Sequence, residues 1–256
     1  MYSPNNGPFG GGSFGRGPFG GGRRGGFGSS RYQYQTLPYA QSEAQSSALI
    51  GKVMTLLAFS FVFASIGAFM GLTVISLTTG SYLFVALGGL VVLIALQFLI
   101  QKPGINLVLL YLFTFLEGLS LSPILKSYMS NPTDTYILGE AFLITAITSF
   151  ALALYAWTTK RNFSGIRDYL FFGVILLLVA GIMEFFFHST LFALIISVAG
   201  IAIFSGYVLF YVQRAKYMAD TLPNAIGLTA SLFITLLNLF LYILEFLSIL
   251  QGGRRR

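Results

Sequence analysis

The sequence predicts an all-α membrane protein with seven transmembrane helices. Three observations predict it. The chain of 256 residues is 55% hydrophobic and only 9% charged, whereas an ordinary soluble domain is about 25% charged, so it has too few charges to clothe a water-soluble globule. Its apolar residues gather into seven runs, each close to the ~20 residues that cross a hydrocarbon core. Those runs are apolar on every side and do not alternate, which excludes the short dyad pattern of a membrane β-barrel.

Residues 1–31 are a Gly/Phe/Arg-rich tail in which GPFGGG occurs at 7–12 and again at 17–22. Such a segment buries too little surface to offset its ordering entropy and is expected to be disordered. No apolar stretch follows its basic residues, so it does not read as a secretory signal. The Arg24-Gly25-Gly26 step permits an RNA-binding reading. A basic tail lying near anionic lipid is preferred, and nucleic acid is not an expected partner. Residues 32–51 are a polar connector in which a helix can begin.

The seven-helix transmembrane domain occupies 52–250, with spans at 53–75, 82–100, 105–125, 139–157, 169–187, 191–211 and 225–247. Turn signals separate them: Thr78-Thr79-Gly80, Lys102-Pro103-Gly104, Asn131-Pro132-Thr133 and the stretch 158–168. In the first span Gly67 and Gly71 form a GxxxG step that lets backbones approach closely, and Gly88 and Gly89 offer something similar in the second. Pro123 near the end of the third span frees a carbonyl one turn back. Gly118, Ser120 and Ser122 beside it supply close packing and replacement hydrogen bonds. Residues 251–256 form a basic C-terminal tail.

No Lys or Arg lies inside a span, so the basic residues report orientation. With the N-terminus cytoplasmic, eleven of the 15 fall on that side: Arg16, Arg23, Arg24, Arg31, Lys52, Lys102, Lys160, Arg161, Arg167, Arg214 and Lys216. Lys126 and the triplet Arg254, Arg255 and Arg256 fall on the other. The triplet argues instead for a last segment that re-enters without crossing. A full crossing is preferred because 23 residues are long enough.

Several chemistries are excluded. The chain has no cysteine and a single histidine, His188, so thiolate sites, disulfides and a zinc site built on several histidines are ruled out. No span holds an Asp for an intramembrane aspartyl protease or a Lys for a retinal Schiff base. His188 at a helix end suits an intramembrane serine protease poorly, and the glycines of the tail follow no strand of a nucleotide-binding loop. The chain is expected not to be an enzyme and to carry no resident cofactor.

The chemistry that remains is carboxylate. Four of the eight acidic residues lie within spans: Glu117, Glu140, Glu184 and Glu245. Ionisable groups at membrane depth are costly and face a bundle interior or an aqueous cavity. Glu117 is near the middle of its helix. The other three lie near helix ends that share the non-cytoplasmic side, and His188 follows Glu184 by four positions on one face. The expectation is an acidic mouth that concentrates cations, with Glu117 deeper below it. Asn106, Thr145, Thr148, Ser205, Thr229, Ser231, Thr235 and Asn238 suit helix–helix hydrogen bonds as well as a pathway.

The sequence Glu117-Gly118-Leu119-Ser120-Leu121-Ser122-Pro123-Ile124 resembles the third-helix signature of the Bax inhibitor-1 (transmembrane Bax inhibitor motif) family. Glu140-Ala141-Phe142 with Thr145-Ala146 resembles the start of that family's fourth helix. Thr159-Lys160-Arg161-Asn162-Phe163-Ser164 resembles the loop that usually reads TKRDFS. Phe204-Ser205-Gly206-Tyr207, Ser231-Leu232-Phe233 and Asn238-Leu239-Phe240 resemble its sixth and seventh helices, so the likeness runs in order from about residue 45 to 250.

The resemblance implies a seven-helix fold with the last helix central and six others around it. It also implies an inner-membrane location in a bacterium and a pH-sensitive calcium leak. Family members are linked to suppression of cell death in eukaryotes, and some bacterial members to a membrane-anchored ATP-dependent protease. The chain departs from the family pattern at one point. Calcium-leak members carry two aspartates that share a proton; here Tyr211 and Thr235 occupy the matching positions, and neither titrates near neutral pH. The expected function is a calcium-permeable leak whose aspartate-dyad pH gating is altered or absent, with transient Ca2+ as cargo. The alternative is a non-conducting regulator that docks on another membrane protein.

Overall fold

A computed structural model of the protein describes residues 42–75, 81–187 and 189–253. The Gly-rich tail, His188 and the terminal arginines lie outside the described residues. Seven helices follow in order: α1 Ser42–Thr73, α2 Ser81–Leu99, α3 Ile105–Met129, α4 Pro132–Thr158, α5 Arg167–Phe187, α6 Thr190–Ala215 and α7 Leu222–Gly253. Every one contains a stretch long and apolar enough to cross a membrane, and no strand is formed among the described residues.

Most helices outrun the apolar segments that announce them. α1 already begins within the polar connector, and α4 begins at Pro132 instead of 139. Hydropathy marks only the part of a helix that meets lipid, while the backbone ladder continues into the polar flanks. At α4 the turn signal proves to be a helix start. Proline suits the first helical position because its missing N–H has no intrahelical partner to lose, and Asp134 complements the dipole in the first turn. The α2–α3 turn needs Gly104, whose φ of 82° is open to glycine without strain. Asn106, fully buried, donates from Nδ2 to the Ile100 carbonyl at 2.8 Å and closes that turn.

α7 is the central helix. It packs directly on α1, α3, α4 and α6, while α2 leans mainly on α3 and α5 mainly on α6. Its N-terminal half joins Leu49, Val53 and Phe113 in one apolar cluster, through Ala225, Leu228 and Phe233. Its C-terminal half joins Ile137, Ala141, Ile196 and Phe204 in a second cluster, through Leu239, Phe240, Ile243 and Leu244. α2 and α5 are the least buried spans and carry exposed Phe84, Phe98, Leu176 and Phe186. Apolar surface of this extent is suited to lipid, not water.

The tightest contact is between α1 and α3. A Cβ on Gly67 would overlap the Phe115 carbonyl, one on Gly71 would overlap Ser122, and one on Gly118 would overlap the Ala64 carbonyl. The GxxxG step therefore meets small residues on its partner, as its spacing predicts. Ser122 donates its hydroxyl to the Leu119 carbonyl at 2.8 Å, the acceptor that Pro123 leaves without its N–H. Ser120 makes the equivalent bond to the Glu117 carbonyl at 2.8 Å.

The two ends of the bundle are tied differently. At one end Lys52 pairs with Asp220 at 2.9 Å. There too Gln213 clamps the α4–α5 loop, donating to the Arg161 carbonyl and accepting from the Phe163 N–H. Lys216 caps α4 by donating to the carbonyls of Ala156, at 2.7 Å, and Trp157; burial there pushes its ammonium below the usual lysine range. At the other end Gln251 bonds Glu140. α7 is thus one continuous helix between opposite ends, about 48 Å long at ~1.5 Å per residue, and does not re-enter.

Candidate functional site

α5 packs on α6 and stands off α7, and the gap is a cavity of about 740 Å³. Its α5 wall is apolar, formed by Val174, Leu177, Leu178, Gly181 and Ile182. The opposite wall is polar. α6 contributes Tyr207 and Tyr211, whose rings stack at 5.5 Å, and α7 contributes Ser231, Thr235, Asn238 and Tyr242. Gly200 gives the Tyr242 ring room to lie against α6, where Phe204 stacks on it at 5.7 Å.

The α7 wall follows from spacing. Residues 231, 235, 238, 242 and 245 step by 4, 3, 4 and 3 and so fall on one helical face. Local hydrogen bonds then decide what that face presents. Ser231 donates to the Gly227 carbonyl at 2.9 Å and Thr235 to the Ser231 carbonyl at 2.7 Å. Asn238 donates from Nδ2 to the Ile234 carbonyl at 2.8 Å, leaving its amide oxygen uncommitted among the described residues. With their hydroxyl protons spent on the helix, Ser231 and Thr235 can only accept from anything in the cavity. The result is a ladder of oxygen acceptors spanning the middle of α7.

The ladder ends in carboxyls. One turn beyond Tyr242 on α7 is Glu245, and one turn beyond Gly181 on α5 is Glu184. The two side chains are half-buried and lie beside each other.

The other two predicted acids make different contacts. Glu140 is exposed and accepts from Gln251 Nε2 at 2.6 Å. Glu117 stands at the midpoint of α3, half-buried, with its Oε1 against Gly89 of α2, 3.2 Å from where a Cβ would be. It does not line the cavity. Glu117 therefore faces α2 from the middle of α3, away from the cavity. The cause lies in the α1–α3 contact: Gly118 must face Ala64, and its predecessor, about 100° round the helix, is turned toward α2. No described residue donates a hydrogen bond to the Glu117 carboxylate.

Of the remaining predicted positions, Tyr211 and Thr235 both line the cavity, as does Asn238. Ser120 and Ser122 serve the backbone of α3, and Ser205, half-buried on α6, does not line the cavity. Sequence reasoning missed Tyr207 and Tyr242, which it counted as apolar. Among the described residues no three His, Asp or Glu side chains are grouped so as to hold a metal ion.

The family model for the inhibitor of apoptosis-promoting Bax1 matches residues 46–252, which covers all seven helices but the first turn of α1 and the end of α7. The chain belongs to the Bax inhibitor-1 family. Within it, a membrane protein of Vibrio cholerae is 33% identical over 62% of this chain and 73% of its own length. A Campylobacter jejuni protein is 32% identical over 77% of this chain and 89% of its own. Mouse protein lifeguard 4 is 29% identical over 64% of this chain and 66% of its own. Family membership and the apolar bundle together make the chain a multi-pass integral membrane protein. In this member of the Bax inhibitor-1 family, the third-helix signature of the sequence builds the α1–α3 contact, and the seventh-helix motifs build the cavity wall.

Proposed function

We propose that this Bax inhibitor-1 protein is a cation leak, permeable to calcium, whose path follows the α7 oxygen ladder to the Glu184–Glu245 pair. The observation that carries the reading is that Ser231 and Thr235 turn only acceptor oxygens into a cavity at membrane depth. Hard cations are held by uncharged and carboxylate oxygens, and conduction needs sites weak enough to release them. Calcium is cargo in this scheme; there is no resident cofactor and no enzymatic step. With Tyr211 and Thr235 at the dyad positions, aspartate-based pH gating is absent. The basic residues orient the N-terminus to the cytoplasm, in the inner membrane if the source is bacterial.

The test is calcium entry into vesicles carrying the purified protein. Movement above the empty-vesicle control is expected, and introducing Tyr211→Asp with Thr235→Asp is expected to make it steeply pH-dependent. Flux no greater than the control removes the leak. A second reading has its own support in the loss of both aspartates: a non-conducting regulator that docks on another membrane protein, such as a membrane-anchored ATP-dependent protease. For that reading, capture of the partner should survive the Thr235→Val substitution and fall when residues 1–31 are deleted.

A further inference from the structure

The end of the bundle opposite Glu184 and Glu245 holds a second pocket, of about 360 Å³, between the start of α5 and the end of α6. Arg167 enters it from α5 and Arg214 from α6, with Asn162, Ser164 and Tyr217 around them. Among the described residues its lining contains no carboxylate. The floor is fixed: Gln213 is buried and holds the loop on both sides through Arg161 and Phe163. The Ser164 N–H is bonded to Asn162 Oδ1 at 2.8 Å, which shapes the rim. Arg214 lies over the Phe210 ring, 5.8 Å from its centre, a contact that directs the guanidinium.

Two guanidiniums from different helices, with amide and hydroxyl groups beside them, match a tetrahedral phosphate oxyanion. The depth of the pocket points to the source of that phosphate. Tyr217, just past α6, lines it, and Trp157 and Tyr169 stand near the end of α4 and the start of α5 on this side of the bundle, each exposed; such aromatic belts mark the level of lipid headgroups. Basic pockets between membrane helices at that level suit anionic lipid. We infer that this pocket binds the phosphate of an anionic phospholipid headgroup through Arg167 and Arg214.

The experiment uses the full chain in nanodiscs of phosphatidylcholine, with or without phosphatidylglycerol, and reads retained phosphatidylglycerol by native mass spectrometry. The double substitution Arg167→Gln with Arg214→Gln should lower retention about tenfold or more, the loss of two charge-assisted bonds. Lys126→Gln, at the other end of the bundle, should leave it unchanged. Arg214→Lys keeps the charge without the fork and should fall between; it also serves if the double variant does not fold, which circular dichroism reports. Inorganic phosphate added to phosphatidylcholine discs should not stabilise the protein as phosphatidylglycerol does. Equal retention by the arginine variants overturns the inference, as does equal stabilisation by inorganic phosphate, which would make the pocket a soluble-anion site.

Discussion

Gln251 donates a hydrogen bond from Nε2 to Glu140 Oε2 over 2.6 Å, tying the last turn of α7 to the third turn of α4. At the other end, Lys52 holds Asp220 just ahead of α7. The two contacts place the ends of α7 at opposite ends of the bundle. Because the chain has no cysteine, a single Gly253→Cys is a clean probe. It should be labelled by a membrane-impermeant maleimide from the side opposite Lys52, and labelling from the Lys52 side would contradict a crossing α7.

The acceptor ladder predicts a specific loss. Thr235→Val keeps the side-chain volume and removes one oxygen from the cavity wall. Calcium flux should fall about tenfold, the worth of one ligand to a charged species, while thermal stability changes by less than about 1 kcal/mol, since the Thr235 hydroxyl serves only its own helix. Unchanged flux would mean that the path runs elsewhere.

Two glycines give opposite expectations. Gly118→Ala pushes a methyl into the Ala64 backbone, where the neighbour cannot yield, and should cost about 1–3 kcal/mol. Gly88→Ala meets nothing within 4 Å and should be neutral or stabilise by up to about 1 kcal/mol through helix propensity. Unfolding in mixed detergent micelles measures both, and equal effects would refute the close α1–α3 approach.

Much of the architecture was legible in the sequence. Hydropathy located the seven helices because lipid imposes a minimum apolar length, and the GxxxG step and the Pro123 carbonyl were readable because both depend on spacing within one helix. Helix ends such as Ser42 were not, since a helix leaving the membrane turns polar while its hydrogen bonds continue. Nor was the direction in which Glu117 faces. Spacing tells which residues share a face, but not which way that face turns, and the rotation of α3 is fixed by Gly118, on a surface contributed by α1. The 231–235–238–242–245 stripe was present in the sequence; grouping the polar residues by helical face would have found it, along with Tyr242.

Gln213 supplies a fourth expectation. Its amide satisfies a backbone carbonyl and a backbone N–H in the α4–α5 loop. Gln213→Ala leaves both without that partner, at about 0.5–1.5 kcal/mol for each part-buried bond. The loop should loosen, and trypsin should cut after Lys160 or Arg161 about tenfold faster in the variant. Cleavage at the wild-type rate would show that the loop is held by other contacts.

The stand-off of α5 from α7 has a mechanical consequence. α5 is seated along α6, where Gly173 and Gly206 allow a close approach, and it touches the α7 side chiefly through Leu177 and Glu184. A swing of α5 about α6 would widen or pinch the cavity at the expense of those few contacts, while the first apolar cluster, which contains no residue of α5, keeps its packing. Opening and closing would then be a property of one peripheral rod, and the tightly meshed α1–α3 pair would serve as its fixed frame.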